Sequence, residues 1–133
     1  MIDSQSFFET INIIMNLPIT IDSNDFVLQS LVIGSRVPKK TGYILLIKWY
    51  RCGHCIVYMP IFEQFATKYP DIGFLVLESS TSTALLQQWS ELQRPAFKID
   101  GYPTVVLFNG DGNPMHIIEN RNDLDIEIMK LRL

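Results

Sequence analysis

Two stretches of this sequence limit the folds open to it. Residues 43–49 read YILLIKW and residues 72–77 read IGFLVL, apolar throughout save for Lys48. Runs this short and this uniformly apolar are the pattern of strands buried on both faces, which sit in the middle of an α/β sheet. At 133 residues the chain is one domain by length and can bury about two-thirds of its unfolded surface. With 47% hydrophobic and 19% charged residues it is no disordered chain, because that much apolar surface offsets the entropy of folding. The net charge of −3 leaves no electrostatic footprint for nucleic acid, and no such partner is expected.

The remaining elements fall around these two strands. Phe7, Phe8, Ile11, Ile14 and Met15 recur at helical spacing, which predicts a helix over 4–16, capped by Ser4 and ended before Pro18. A short strand is expected over 18–21, then a second helix from Asp22 or Ser23 to about Leu31. Residues 34–42 read as a polar loop. A long helix is expected from Cys52 to about Tyr69, with Pro60 inside it to kink it. Ser80 or Thr81 would cap a helix carrying Leu85, Leu86, Trp89 and Leu92 that stops before Pro95. Residues 94–101 form a connection of no predicted type. Strands over 104–108 and 115–118 flank Asn109-Gly110-Asp111-Gly112-Asn113, a strong hairpin signal. The tail over 123–133 is taken as a helix on Leu124, Ile128 and Leu131, although Leu124, Ile126 and Ile128 also alternate as a strand does. Together these predict an α/β domain with a central mixed sheet covered by helices on both faces.

The chain has two cysteines, Cys52 and Cys55, too few for a disulfide framework or for a common structural zinc site. Their only imidazole company is His54 and His116, so a metal site would need a second chain, and no metal or other cofactor is expected. Cys52-Gly53-His54-Cys55 lies where a buried strand meets a helix, the context that marks a redox dithiol. At a helix N-terminus the first backbone N–H groups and the macrodipole favour thiolate over thiol. That makes Cys52 the nucleophile and places Cys55, one turn on, to close a disulfide with it. Gly53 reads as permitting a tight strand-to-helix turn. His54 reads as a second, titratable positive charge, which stabilises the reduced pair and raises its reduction potential.

On these residues the chain resembles the thioredoxin-fold superfamily, and its CGHC resembles the active-site sequence of protein disulfide isomerase domains. Pro60 falls where the family's active-site helix is kinked. Gly101-Tyr102-Pro103-Thr104 resembles the family's GYPT, and VVLFNGDGNP resembles its closing hairpin. The match covers residues 19–133, so the expected architecture is a thioredoxin-like three-layer fold with residues 1–18 as an extra N-terminal helix. The resemblance implies a cis Pro103 packed against the cysteines and a Tyr102 backbone edge where a substrate peptide pairs as a strand. It also implies that Cys52 forms the mixed disulfide with substrate and Cys55 resolves it. Arg121 aligns loosely with an arginine that modulates the resolving cysteine in disulfide isomerases; a solvated surface arginine is the plainer reading.

Several positions depart from the family. Arg51 stands where a tryptophan usually precedes the first cysteine, and is expected to lower the Cys52 pKa modestly. Leu46 replaces the usual buried acid, and the lysine that pairs with that acid is missing from 72–77. Exchange at the buried cysteine is therefore expected to be slower or more pH-dependent. Ile56 replaces the usual lysine, and with Tyr50, Tyr58 and Met59 it suggests an apolar rim for an unfolded substrate, a partner or a second copy of the chain. The plainer alternative is that most of these residues face the core. His116 reads as structural.

Two functions follow as expectations. One is a protein thiol–disulfide oxidoreductase that oxidises or isomerises protein substrates, with a redox protein or glutathione as partner. The other is an interaction module with vestigial redox activity. The N-terminus lacks a basic n-region, no segment approaches a membrane span, and the KLRL terminus is no retention tail. A cytoplasmic or virion-associated protein is the default expectation, with the endoplasmic reticulum open to a processed precursor.

Overall fold

A computed structural model describes residues 16–27, 31–92 and 97–132. The strands are β1 (Ile19–Ile21), β2 (Phe26–Val27), β3 (Val32–Ile33), β4 (Gly42–Lys48), β5 (Ile72–Glu78), β6 (Thr104–Phe108) and β7 (Pro114–Ile117). The helices are α1 (Gly53–Lys68), α2 (Thr83–Leu92) and α3 (Leu124–Arg132). Five strands form one sheet in the order β1-β5-β4-β6-β7. β1, β5 and β4 run parallel, while β6 and β7 are antiparallel additions.

The two apolar runs are the central strands, as expected, and alternation divides their side chains between two cores. Leu45, Ile47, Leu75 and Leu77 face one layer with Leu85 and Trp89 of α2. Ile44, Leu46, Phe74 and Val76 face the other, under Tyr58 and Phe62 of α1 and Leu124 and Ile128 of α3. Residues 44–47 are fully inaccessible, and each such aliphatic side chain contributes about 1.5–3 kcal/mol. Leu46 lies between Val76 and Val105, so the position that resembles an acid site in the family is apolar on both sides.

The expected helix over 22–31 is not formed. Asp22 does cap, but what it caps is a single 3₁₀ turn, Ser23–Asp25, through a reciprocal capping box with Asp25. The chain then makes a short antiparallel pair, β2 with β3. Phe26 is drawn edge-on against Trp89, at 6.4 Å between ring centroids. Leu31, at φ 56, is fully buried. A left-handed leucine costs about 1–2 kcal/mol, which is less than its burial returns. Tertiary packing of Phe26 and Leu31 thus overrides the local helical spacing. Val27, expected on the buried helix face, is 53% exposed.

Smaller differences follow the same logic. The Glu78 carboxylate accepts from the Ser80 amide and organises a 3₁₀ turn over Ser79–Thr81, so α2 starts later than either expected cap. Residues 4–15 of the expected N-terminal helix lie outside the described residues; its last residue, Asn16, is left-handed (φ 48) and buried. The hairpin forms where expected, with Gly112 at φ 82 against Ile33 O, a position only glycine fits. The tail is helical, as α3. Among the described residues no helix is long and apolar enough to cross a membrane.

Candidate active site

β4 ends at Lys48, and a turn closed by Cys52 N–H donating to Trp49 O at 2.9 Å delivers the chain to α1. Cys52 is the N-cap of that helix. Its sulfur accepts from the Cys55 amide at 3.2 Å, one of the N–H groups that a helix start leaves without a backbone partner. Both cysteines are free thiols, Cys52 half-buried and Cys55 buried. Across from them the Tyr102–Pro103 peptide is cis, and the Cys52 thiol donates to Tyr102 O at 3.3 Å. No partner for the Tyr102 amide is seen among the described residues.

The two thiols sit in opposed electrostatic surroundings. Cys52 is held below the usual thiol range by its hydrogen bond with Cys55, by the Cys55 and His54 backbone amides and by the charge of Arg121, against some desolvation. Burial pushes Cys55 up to about 11, helped by the hydrogen bond to and the charge of Cys52; Trp49 and Lys48 oppose the rise. The half-buried sulfur is thus the one disposed toward thiolate, and burial keeps the other protonated.

The structure redistributes the roles read from the sequence. His54 is exposed, and what it gives Cys52 is its backbone amide. Arg51, expected to act on Cys52, lies 5.5 Å over the Tyr50 ring and is not among the groups that shift the thiol. Arg121, for which a solvated surface role was the plainer reading, is half-buried, and its charge is the smallest of the influences on Cys52. Its guanidinium lies 5.6 Å from the Tyr58 ring centroid, and its carbonyl accepts from the Tyr58 hydroxyl at 2.5 Å. Gly53 is not needed for the turn: a Cβ there would meet nothing within 4 Å and its φ is ordinary. Its lack of a side chain leaves open space beside Cys52.

Half of the expected rim is surface. Tyr50 and Ile56 are exposed, Tyr58 is buried in the core and Met59 is half-buried. Trp49 (40% exposed) and Val57 (70% exposed) extend the exposed part, and the sequence reading missed both. The signal for Val57 was present: Cys55, Tyr58, Phe62 and Ala66 form the inward stripe of α1, which turns 56 and 57 outward. His116 Nε2 lies 2.7 Å from Glu127 Oε2 and joins β7 to α3. Among the described residues no three His, Cys, Asp or Glu side chains gather as a metal site would require.

No family model matches the chain. A curated relative, the protein disulfide-isomerase of Drosophila melanogaster, is 35% identical over 71 residues, which are 52% of this chain and 13% of that protein. The chain thus spans a small part of the length of that relative. Among solved structures, a chain from the complex of ferredoxin:thioredoxin reductase with thioredoxin f2 superposes with a TM-score of 0.65 at 20% identity, covering 90% of this chain and 99% of that one. Thioredoxin from Schistosoma mansoni gives 0.63 at 18% identity, over 86% and 98%. Thioredoxin f from spinach chloroplast gives 0.61 at 18% identity, over 90% and 94%. At these identities the likeness is one of architecture, and on architecture it is plain: this chain has the thioredoxin fold.

Proposed function

We propose that this chain is a protein thiol–disulfide oxidoreductase working through Cys52 and Cys55. The observation that carries the reading is the sulfur of Cys52 at the cap of α1, 3.2 Å from a backbone donor and 3.3 Å from Tyr102 O. The Cys55 amide stabilises a thiolate there, and the Tyr102 carbonyl, an acceptor, marks a backbone edge where an extended peptide can pair. In the oxidising direction a substrate thiolate attacks Cys52 of the Cys52–Cys55 disulfide. The Cys52–Cys55 bond breaks, Cys55 leaves and takes up a proton, and a mixed disulfide forms. A second substrate thiolate then attacks the substrate sulfur of that bond, and Cys52 departs as thiolate. The substrate has lost two electrons, and the chain holds them as its dithiol. A partner disulfide, on a redox protein or glutathione, must reoxidise it.

A low-pKa Cys52 is a good leaving group and stabilises the reduced pair, so oxidation or isomerisation is favoured over reduction. The part-length similarity to a disulfide isomerase points the same way. Arg51, Ile56, Tyr102 and Pro103 form the proposed substrate surface, with Trp49 and Val57 beside it. The reduction potential against glutathione tests the direction. A value near about −180 mV supports an oxidase or isomerase, and one near about −270 mV overturns that assignment in favour of a reductant. Cys55→Ser tests the mechanism, because it removes resolution and should trap substrates on Cys52. The exposed Trp49, Tyr50, Ile56 and Val57 favour a second reading, a docking module with residual redox chemistry. That reading gains if Cys55→Ser traps nothing.

A further inference from the structure

The cations of this chain are not all used alike. Arg36, Lys68, Lys98, Lys130 and Arg132 each pair with a carboxylate, and Lys40 donates to Pro70 O and Asn16 Oδ1. Among the described residues Lys39, Lys48, Arg51 and Arg121 have no such ion pair. Lys39 lies before the start of β4, and the other three gather around the first turns of α1. Lys48 ends β4, Arg51 directly precedes Cys52, and Arg121 lies over the ring of Tyr58, one turn beyond Cys55. Glu78 stands across from Lys48 in the sheet, yet its Oε2 accepts from the Ser80 amide and hydroxyl. In a chain of net charge −3, the dithiol is therefore bordered by cations without acid partners among the described residues.

We infer that this border selects substrates by charge, favouring an extended peptide with Asp or Glu beside its reacting cysteine, and that Arg51 is the main specificity-determining residue. The inference rests on the reading of Cys52 as the thiol that meets substrate. The exposed Arg51 guanidinium lies 5.5 Å from the Tyr50 ring centroid, and Trp49 braces that ring edge-on at 6.2 Å. A guanidinium stacked on a ring keeps its N–H edges free, in the planar fork that suits a carboxylate. The stack also holds the head group in place before substrate arrives, which lowers the ordering cost of binding. A substrate residue beside the reacting cysteine has its Cα about 3.8 Å from that of the cysteine. Arg51 stands at the same remove from Cys52, so a mixed disulfide brings the two side chains within reach of each other. A lysine or arginine at that place in the substrate would instead face like charges.

The test uses the reduced full chain and two short peptides, alike except that glutamate or lysine flanks a central cysteine held as its mixed disulfide with thionitrobenzoate. The Cys52 thiolate attacks the peptide sulfur and thionitrobenzoate leaves. Cys55 then loses its proton and displaces the peptide thiolate, which takes a proton up, and the chain keeps the disulfide. Dividing each rate by that of the same peptide with dithiothreitol removes the intrinsic effect of the flanking residues. At low salt the corrected glutamate rate should exceed the lysine rate about fivefold, the worth of a few screened surface charges, and high salt should shrink that ratio. Arg51→Gln should remove most of the preference and Arg51→Lys should keep most of it. Because the readout is a ratio, any change in the reactivity of Cys52 itself cancels. Equal corrected rates, a preference indifferent to salt, or one that survives Arg51→Gln would overturn the inference. A chain that reduces neither peptide refutes the oxidoreductase reading and leaves the charge preference to binding. The same peptides with serine for cysteine, followed by the fluorescence of the half-exposed Trp49, then decide: tighter binding of the glutamate peptide that Arg51→Gln abolishes sustains the preference, and anything else refutes it.

Discussion

The two ends of α1 each leave backbone groups without an intrahelical partner, donors at one end and acceptors at the other, and put them to opposite uses. At the N-terminal end a free amide, that of Cys55, is given to the sulfur of Cys52, a partner that must be able to leave. At the C-terminal end the free carbonyls are closed off. The Asn16 side-chain amide donates to Ala66 O, Tyr69 O and Ile72 O at 2.7, 2.7 and 2.9 Å. Lys40 Nζ lies 2.9 Å from Pro70 O and 3.2 Å from Asn16 Oδ1. Asp125 of α3 accepts from both Lys68 and the Tyr69 hydroxyl. A helix terminus is therefore a generic electrostatic resource. One end becomes chemistry because its partner is a titratable sulfur half-open to solvent, and the other becomes structure because its partners are buried or locked.

Three measurements sharpen or break this contrast. The largest effect is expected at the reactive end. With its thiol pushed up to about 11, Cys55 should react about a hundredfold more slowly than an ordinary thiol near pH 8, while Cys52 reacts faster than one. Mapping alkylated cysteines against pH checks this, and equal labelling of the pair would break the assignment of nucleophile. Because the folded pKa of Cys55 is raised, the stability it contributes in the reduced chain is present below about pH 9 and lost as pH rises toward 11.

Asn16→Ala comes next. It strips the partners from buried carbonyls and should cost about 2–3 kcal/mol in denaturant unfolding, with the Cys52 alkylation rate unchanged. A change in that rate would show that the two ends are coupled along the helix. The smallest effect belongs to the exposed clamp of α3. The Tyr69 and Lys68 contacts hold the Asp125 carboxyl below its usual range, so its contribution is present above about pH 4 and fades as pH falls through the folded value. Asp125→Asn should flatten that acid limb slightly and shift the melting temperature little. A large shift would mean that α3, and not Asn16, secures this end.

Much of this fold is legible in the sequence because its strongest elements are locally over-determined. β4 and β5 are uniform apolar runs, α1 carries an unbroken inward stripe, and the 109–113 hairpin has its own turn residues. The site is legible in its atoms but less so in its charges. Cys-x-x-Cys at a strand-to-helix junction put Cys52 at the cap of α1, as expected, since capping geometry follows from a few neighbouring residues. Arg51 and His54 were given influence because they are adjacent in sequence, yet one stacks on Tyr50 and the other contributes its amide. Arg121, far along the chain, meets Tyr58 of α1 through both its carbonyl and its guanidinium. The 22–31 segment failed for a related reason, because Phe26 and Leu31 answer to Trp89 and the core and not to their own spacing.

What the sequence determined alone is therefore what short-range chemistry can dictate: two buried strands, a cysteine-capped helix and a hairpin. What the tertiary structure decided is which backbone groups meet the Cys52 sulfur, which aromatic side chains around it stay at the surface and how the far end of α1 is sealed. Coulombic and packing interactions act through space, and residues distant in the chain become neighbours only after the sheet and its helices have assembled.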